Sequence, residues 1–326
     1  GKEGATRLVV LPPAPLAPIA VGQRDLYPQA VRVNSDVHLT SERETETAMS
    51  GPTRLMSGAF DPAFLFVVLF PLVIIALSYE LLSGERERGT LAMLLSQPVS
   101  QRALVLGKAM ARALALCGVT VVFALVGLLV AGAELNTAAA WLHVSLYVVV
   151  LIAWAAFWFA AAITVNGMRQ SSANNALMLV GLWLVLVVVV PGLVHAVVDA
   201  VHPPPSRMER VQHAREAAQD VERKLAGLQG RHDRNTKTTD YARDVVETQR
   251  ELAKRSAPVL DELREQLHVR QQMLDILRFF SPAIVVQLAL EDIAGAGVIR
   301  HHNFETQVDS FHKEFRNFFF DRIDRG

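Results

Sequence analysis

The chain has 326 residues, of which 51% are hydrophobic, and its 32 Lys and Arg residues balance its 32 Asp and Glu residues. The zero net charge gives no overall positive field, so we expect no nucleic-acid partner. A single cysteine, Cys117, excludes an intrachain disulfide.

Residues 1–61 are polar, and several prolines lie near their start. Val31, Val33 and Val37 lie at alternating positions, a spacing that favours a short β-strand. We therefore expect an outer N-terminal segment over 1–61 that is irregular or partly β. Because it begins without methionine or a signal-peptide pattern, we also expect the natural chain to be longer, with one more span on each side.

Four apolar stretches of 18 to 34 residues follow, and none contains Asp, Glu, Lys or Arg. They are Pro62–Tyr79, Ala113–Ala133, Leu135–Met168 and Gln170–Val198. At a rise of about 1.5 Å per residue, each can cross a hydrocarbon core of about 30 Å, the first only just. A buried helix of a soluble protein explains one such stretch but not four in succession. The sequence predicts a transmembrane bundle over 62–200.

Residues 79–100, here called the connecting segment, lie at the end of the first stretch and lead toward the second. The segment carries a charged run and then a Gly-Thr pair: Glu85, Arg86, Glu87, Arg88, Gly89 and Thr90. Gly89-Thr90 can end one helix and cap the next, since the Thr90 hydroxyl can satisfy a backbone N–H. Leu91, Leu94 and Leu95 then share one helical face. We expect a short helix along the membrane surface, within residues 83–101. An ordinary interfacial connector is the simpler alternative.

The distribution of Lys and Arg predicts an orientation. Five of these residues lie between the first two stretches and Arg169 lies between the third and fourth, whereas Glu134–Ala140 contains none. By the positive-inside rule, the two basic connections face the cytoplasm. Residues 1–61 and 201–326 then lie outside the cytoplasm.

The outer end of the fourth stretch contains two features of interest. Pro191-Gly192 is expected to kink or unwind the helix, because proline removes a backbone donor. Beyond it, His195, Asp199 and His202 share one helical face, a spacing that could bind zinc or copper. Histidines at a headgroup boundary more often mark a plain polar transition. We predict no metal and no cofactor.

Residues 201–278 contain two amphipathic stretches with a polar loop between them. In the first stretch, apolar residues follow a 3-4 spacing: Val211, Ala214, Ala218, Val221, Leu225 and Leu228. In the second, Val245, Leu252 and Val259 are seven residues apart. This pattern predicts an extracytoplasmic antiparallel helical hairpin. The hairpin is either purely structural or a dock for a periplasmic partner.

The last part of the chain, residues 279–326, is expected to lie at the membrane interface. Phe279–Leu290 is apolar but too short for a comfortable span, so we expect an interfacial helix there. Further on, phenylalanines form an aromatic face: Phe311, Phe315, Phe318, Phe319 and Phe320. We expect this face to rest on the bilayer or to lead into a further span.

Three stretches resemble a known family. Tyr79–Pro98, with Arg102 and Gly107-Lys108, resembles the coupling-helix region of type-2 ABC exporter permeases, where a Glu-x-Glu-x-Gly-Thr pattern follows a span. Leu11–Gly22 and Phe311–Ile323 resemble the bacterial branch with a large extracytoplasmic insert, which includes the gliding-motility and nitrous-oxide-reductase maturation permeases. Permeases of this family have six spans, of which four are visible here.

The resemblance implies a permease subunit of the bacterial inner membrane. It would form a dimer with a second copy or a paralogue and would be driven by a separate ABC ATPase. The ATPase-coupling residues would then be Glu85, Arg86, Glu87, Arg88, Gly89 and Thr90. No Gly-x-x-x-x-Gly-Lys-Ser/Thr phosphate loop occurs in the chain, so we expect the partner to hydrolyse the ATP.

The predicted fold is thus an all-α polytopic membrane protein with an extracytoplasmic helical hairpin. The leading function is transport by an ATP-driven exporter, and the scarcity of ionisable groups in the spans favours amphiphilic or lipid-like cargo. The alternative is a non-transporting membrane anchor that recruits or drives a periplasmic partner. A membrane enzyme is disfavoured, because the chain has no His-Glu-x-x-His motif, no Gly-x-Ser-x-Gly motif and no cysteine pair.

Overall fold

The structure, a computed structural model, describes residues 7–12, 14–20, 30–33, 62–98, 100–130, 132–133, 135–203, 247, 265–266 and 269–325. Its strands are β1 (Arg7–Val10) and β2 (Ala30–Val33). Its helices are α1 (Pro62–Ser78), α2 (Ser83–Glu87), α3 (Leu91–Leu95), α4 (Gln101–Val130), α5 (Ala138–Gly167), α6 (Ser172–Trp183), α7 (Val190–Val201), α8 (Val269–Phe280), α9 (Pro282–Ala294) and α10 (Val298–Arg325). A π-helical turn, Leu184–Val189, joins α6 to α7.

Four helical segments are long and apolar enough to cross a membrane. They are α1 with its continuation into α2, α4, α5, and the continuous run of α6, the π-helical turn and α7. Helices suit this environment because each satisfies its own backbone hydrogen bonds where no water is available. The prediction of an all-α polytopic membrane protein is confirmed.

Helix α5 is the centre of the bundle. It packs against α1, α4, α6 and α9. Tyr147, Trp154 and Trp158 on this helix are almost completely buried. The rings of Trp154 and Trp158 meet edge to face with centroids 5.6 Å apart, a favoured geometry for aromatic pairs. Lipid tails are as apolar as the helix surfaces, so the hydrophobic effect does not drive membrane helices together. Close packing of side chains therefore supplies much of their association.

The fourth span accommodates its proline without a break. Ser172–Val201 forms one continuous segment of 30 residues, and it runs through Pro191. The irregularity is the π-helical turn, which ends at Val189, two residues before this proline. A proline ring crowds the preceding turn and removes one N–H, and the wider π-helical turn gives the ring room. The helix does not unwind at Pro191-Gly192, and the local change of helix type lies just before it. The expected kink stays a prediction.

Helices α8 and α9 form a sharply bent pair. The bend between them is 118° and lies at the Ser281-Pro282 step. Ala283, Leu290 and Ala294 on α9 belong to the same buried core as α5. The helix expected over Phe279–Leu290 is thus largely α9, and it packs against α1 and α5. Its position at the membrane interface stays a prediction.

A short N-terminal loop, residues 14–20, covers one end of the bundle. Leu16, Ile19 and Ala20 are buried in the main core. The Tyr147 hydroxyl donates to Ile19 O at 3.4 Å. The loop is thereby fixed against α5, which a polar and proline-rich sequence does not by itself indicate.

Strands β1 and β2 pair antiparallel, with Arg7 opposite Val33. The partly β segment expected at the N-terminus is therefore present. Val33 packs with Phe304 and Val308 of α10, and Phe315 lies against the same cluster. Phe315 of the predicted aromatic face thus packs toward the strands. Contact of this face with a bilayer stays a prediction.

The predicted helical hairpin falls almost entirely outside the described residues. Of residues 201–278, the structure describes 201–203, 247, 265–266 and 269–278, and the last of these belong to α8. The hairpin and the boundaries drawn around it, at 201 and 278, stay predictions.

Candidate functional site

The connecting segment folds as two short helices separated by a sharp turn. After α2 ends, Gly89 has a φ of 73°, a left-handed conformation that glycine adopts without strain. Thr90 N donates to Glu85 O at 3.0 Å and closes the turn. The predicted capping of α3 by the Thr90 side chain is wrong, since that side chain accepts no capping bond in the described structure. Its hydroxyl instead donates back to the Glu85 carboxylate, and its oxygen lies 3.2 Å from Glu85 O.

The Glu85 carboxylate joins the connecting segment to the start of α4. Lys108 Nζ donates to Glu85 Oε1 at 2.8 Å, and the Thr90 hydroxyl bonds the other carboxylate oxygen. The side chains of Lys108 and Glu85 are 27% and 22% exposed, so water screens this pair only in part. The Lys108 ammonium and then the Thr90 hydroxyl hold the pKa of Glu85 below its usual value. Glu85 is therefore ionised at neutral pH.

The Glu87 carboxylate joins the same segment to the start of α6. Ser172 N donates to Glu87 Oε1 at 2.7 Å, and Ser172 Oγ donates to Oε2 at 2.9 Å. A carboxylate is favoured at a helix N-terminus, where backbone N–H groups point outward and the helix dipole is positive. The Ser172 backbone N–H, followed by its hydroxyl, lowers the pKa of Glu87. Glu87 thus acts as a charged cap on α6.

The two arginines of the charged run occupy different settings. Arg88 Nη2 lies 3.4 Å from Glu80 Oε2, and both side chains are well exposed. An exposed pair of this kind contributes about 0–1 kcal/mol. Arg86 is half-buried on α2. The Arg88–Glu80 pair lies close to Gly84, because a Cβ at that glycine would be 3.0 Å from Arg88 Nη2.

Two buried asparagines complete the site, and sequence reasoning missed both. Asn166, at the end of α5, is 1% exposed, and Asn175 on α6 is fully buried. Asn175 Nδ2 lies 3.2 Å from Ser83 Oγ, which in turn lies 2.8 Å from Ser172 Oγ. A signal was present, since both residues are amides within predominantly apolar stretches. Polar side chains buried in a membrane bundle usually form hydrogen bonds with neighbouring helices.

Helix α3 is the outermost part of the connecting segment. The Met93 side chain is 75% exposed, and Ala92 is exposed beside it. Glu85 and Glu87 thus tie the segment to α4 and α6, while Arg88, the Gly89-Thr90 turn and part of α3 lie at the surface.

The three metal candidates of the fourth span are not brought together. Asp199 Oδ1 accepts from Arg270 Nη2 at 2.6 Å, which links α7 to α8. His195 Nδ1 lies 2.8 Å from Pro191 O, and His202 O accepts from Arg270 Nη1 at 2.8 Å. Within the described ranges, no group of three His, Cys, Asp or Glu side chains could hold a metal ion. Asp199 and His202 thus connect the C-terminal end of α7 to α8, while His195 bonds within its own helix.

Comparison with known proteins gives one finding. A family model described as ABC-2 family transporter protein matches residues 19–318. The match therefore includes the connecting segment, all four candidate spans and most of α10. Neither a curated protein nor a solved structure matches the chain.

Proposed function

The chain belongs to the ABC-2 family of transporter proteins, and from that premise we propose that it is the permease of an ATP-driven exporter. It is a multi-pass membrane protein and a membrane component of an ABC transporter, and such a component works with an ABC ATPase. The steps beyond this are the direction of transport, the route by which ATP hydrolysis reaches the spans, and the class of cargo.

The observation that carries the proposal is the double attachment of the connecting segment. The Glu85 carboxylate holds it to α4 and the Glu87 carboxylate holds it to α6. A push on α3 is thereby passed to the ends of two spans. Rigid segments that move as bodies are the usual means by which domain closure opens a transport path.

In this proposal the residues of the Glu-Arg-Glu-Arg-Gly-Thr run have distinct tasks. Glu85 and Glu87 are positioning residues, because their carboxylates already have intramolecular partners. Gly89 and Thr90 shape the turn that presents α3. Met93, exposed at the tip, contacts the ATPase. Arg86 and Arg88 steer the approach of the partner, a role that charges at the rim of an interface commonly have.

The proposal also includes the orientation and the assembly. The protein lies in the inner membrane of a bacterium. Its connecting segment faces the cytoplasm, and its loop 14–20 lies on the opposite side of the membrane. The permease pairs with a second copy or a paralogue. The insert over 201–278 contacts a periplasmic partner. The nearly uncharged spans favour amphiphilic or lipid-like cargo.

The test is ATP hydrolysis by the full chain, affinity-purified with its co-captured subunits and placed in lipid nanodiscs. Met93→Glu should lower both the amount of bound ATPase and the hydrolysis rate. Leu8→Glu is the matched control, since Leu8 is also exposed but lies on β1. Equal ATPase binding in both variants contradicts the contact at α3. Hydrolysis in sealed vesicles without movement of any lipid-like solute favours the alternative, a non-transporting subunit that drives a periplasmic partner.

A further inference from the structure

The turn between α1 and α2, here called the junction (residues 78–83), interrupts the helical hydrogen-bond ladder. Tyr79 N still donates to Ile75 O at 2.9 Å, four residues back. Leu81 N then donates only three residues back, to Ser78 O at 3.3 Å. The ladder resumes at Gly84 N, which donates to Glu80 O at 3.3 Å. Backbone groups exposed by such a break need partners, because a membrane bundle offers little water.

Asn166 on α5 supplies partners for this break. Its Oδ1 accepts from the buried Leu82 N at 3.3 Å, and its Nδ2 donates to Ser78 O at 3.0 Å. The same amide donates to Ala162 O at 2.9 Å on its own helix. In a regular α-helix Leu82 N would donate to Ser78 O, so the Asn166 amide bridges the two groups of this one missing bond and connects them to α5.

Asn175 on α6 holds the other side of the junction, in an arrangement that permits exchange. Its Nδ2 lies within 3.3 Å of three acceptors: Tyr79 O, Ser83 Oγ and Asn166 Oδ1. An amide nitrogen carries two hydrogens, so it serves two of the three at once. Its buried Oδ1 finds no hydrogen-bond partner among the described residues. The junction thus has more acceptors than this amide can satisfy.

We propose that Asn166 and Asn175 form the hinge about which the connecting segment and the attached start of α6 move together relative to α5. The proposal rests on the function proposed above. When the partner moves α3, the Asn175 amide exchanges one acceptor for another, so the junction changes shape without leaving its backbone groups bare. Interfaces that switch between discrete arrangements transmit motion over distance in this way.

The hinge is continuous with the cap on α6. Ser83, at the end of the junction, lies 2.8 Å from Ser172 Oγ, and Ser172 also binds Glu87. The hydrogen bonds therefore run without a gap from the charged run to both asparagines. Leucine, which has a similar size, would fill the same space but could not exchange partners.

The experiment measures the distance between spin labels at Gln97→Cys, after α3, and Met168→Cys, at the end of α5. Both positions are exposed. The full chain, with Cys117 replaced by alanine, is used with its ATPase subunits in nanodiscs, with and without ATP and vanadate. With the native hinge, the label distance should change on addition of ATP and vanadate. In Asn175→Leu the change should fall to less than half, while ATP is still hydrolysed.

Asn174→Leu is the matched control, because Asn174 is the exposed neighbour of Asn175 on α6. It should leave the nucleotide-dependent change as in the native protein. Asn175→Ser, which keeps one donor, should give an intermediate change of the label distance. This variant replaces Asn175→Leu in the test if the leucine variant fails to fold. A change of native size in Asn175→Leu or Asn175→Ser overturns the hinge. Absence of bound ATPase in the native sample overturns the proposed function, and the hinge with it.

Discussion

Replacing Asn166 by alanine should destabilise the bundle by about 2–4 kcal/mol. Asn166 Oδ1 accepts from Leu82 N at 3.3 Å, and Leu82 is 4% exposed. Removing the amide leaves this buried N–H without its acceptor, which costs about 1–3 kcal/mol. Asn175 Nδ2 also loses Asn166 Oδ1 as an acceptor but keeps Tyr79 O and Ser83 Oγ, so this loss adds little to the free-energy cost. The void left by the missing amide supplies the rest.

The assay is the free energy of unfolding in mixed micelles, obtained by titration with a denaturing detergent. Thr164→Ala is the matched control on the same helix. Thr164 is exposed, and its hydroxyl donates to Ala160 O one turn back at 2.8 Å, so its loss leaves no buried group bare. We expect the control to cost about 0.5 kcal/mol or less. Equal unfolding free energies for the two variants would refute the reasoning.

Three further predictions concern other parts of the molecule. Glu85→Lys combined with Glu87→Lys should release the ATPase while leaving membrane insertion intact, and unchanged co-purification and activity would contradict this. Gly295→Ala should lower the unfolding free energy by about 1–2 kcal/mol, because Gly295 has a φ of 74° and the new Cβ would crowd Ala14. Thermal unfolding measures the effect, and Gly118→Ala is the control, since a Cβ at Gly118 would have no neighbour within 4 Å. A cysteine at Asn235 should react with an impermeant maleimide added to cells whose outer membrane is permeable, and labelling only after lysis of the inner membrane would reverse the orientation.

The spans were predictable because a membrane imposes a simple rule on the sequence. A helix that crosses hydrocarbon must be apolar over some 20 residues, and that pattern is local. The strand around Val31 and Val33 was also visible as a short alternation. Within the described residues, the predicted elements that hold are those that a contiguous stretch of sequence specifies.

The candidate site was predictable only in its location. The sequence identified the charged run but not the partners of its carboxylates, since Ser172 lies 85 positions from Glu87 in the chain. Asn166 and Asn175 carried a signal, as amides in apolar stretches, but their contacts with the α1–α2 junction depend on how α5 and α6 pack. The Thr90 cap failed for a related reason, because a nearby carboxylate competes for the hydroxyl.

The packing of α9 against α1 and α5 was not predicted from the sequence, because the argument there relied on the length of the helix. Its 13 residues are too few for a comfortable span, which favoured a surface position. A short apolar helix can also be buried when other helices cover it, and α1 and α5 cover α9. Length distinguishes spanning from non-spanning helices but does not tell a surface helix from a buried one.

The central claim is that α3 of the connecting segment contacts the ATPase. The most direct measurement is site-specific photo-cross-linking, with a photoreactive phenylalanine analogue at Met93 of the full chain in native membranes. The account predicts a cross-linked product that contains the ATPase, identified by mass spectrometry. It predicts no such product from the same analogue at Leu8, which is also exposed but lies on β1. A product with the ATPase from Leu8 and none from Met93 would contradict the claim.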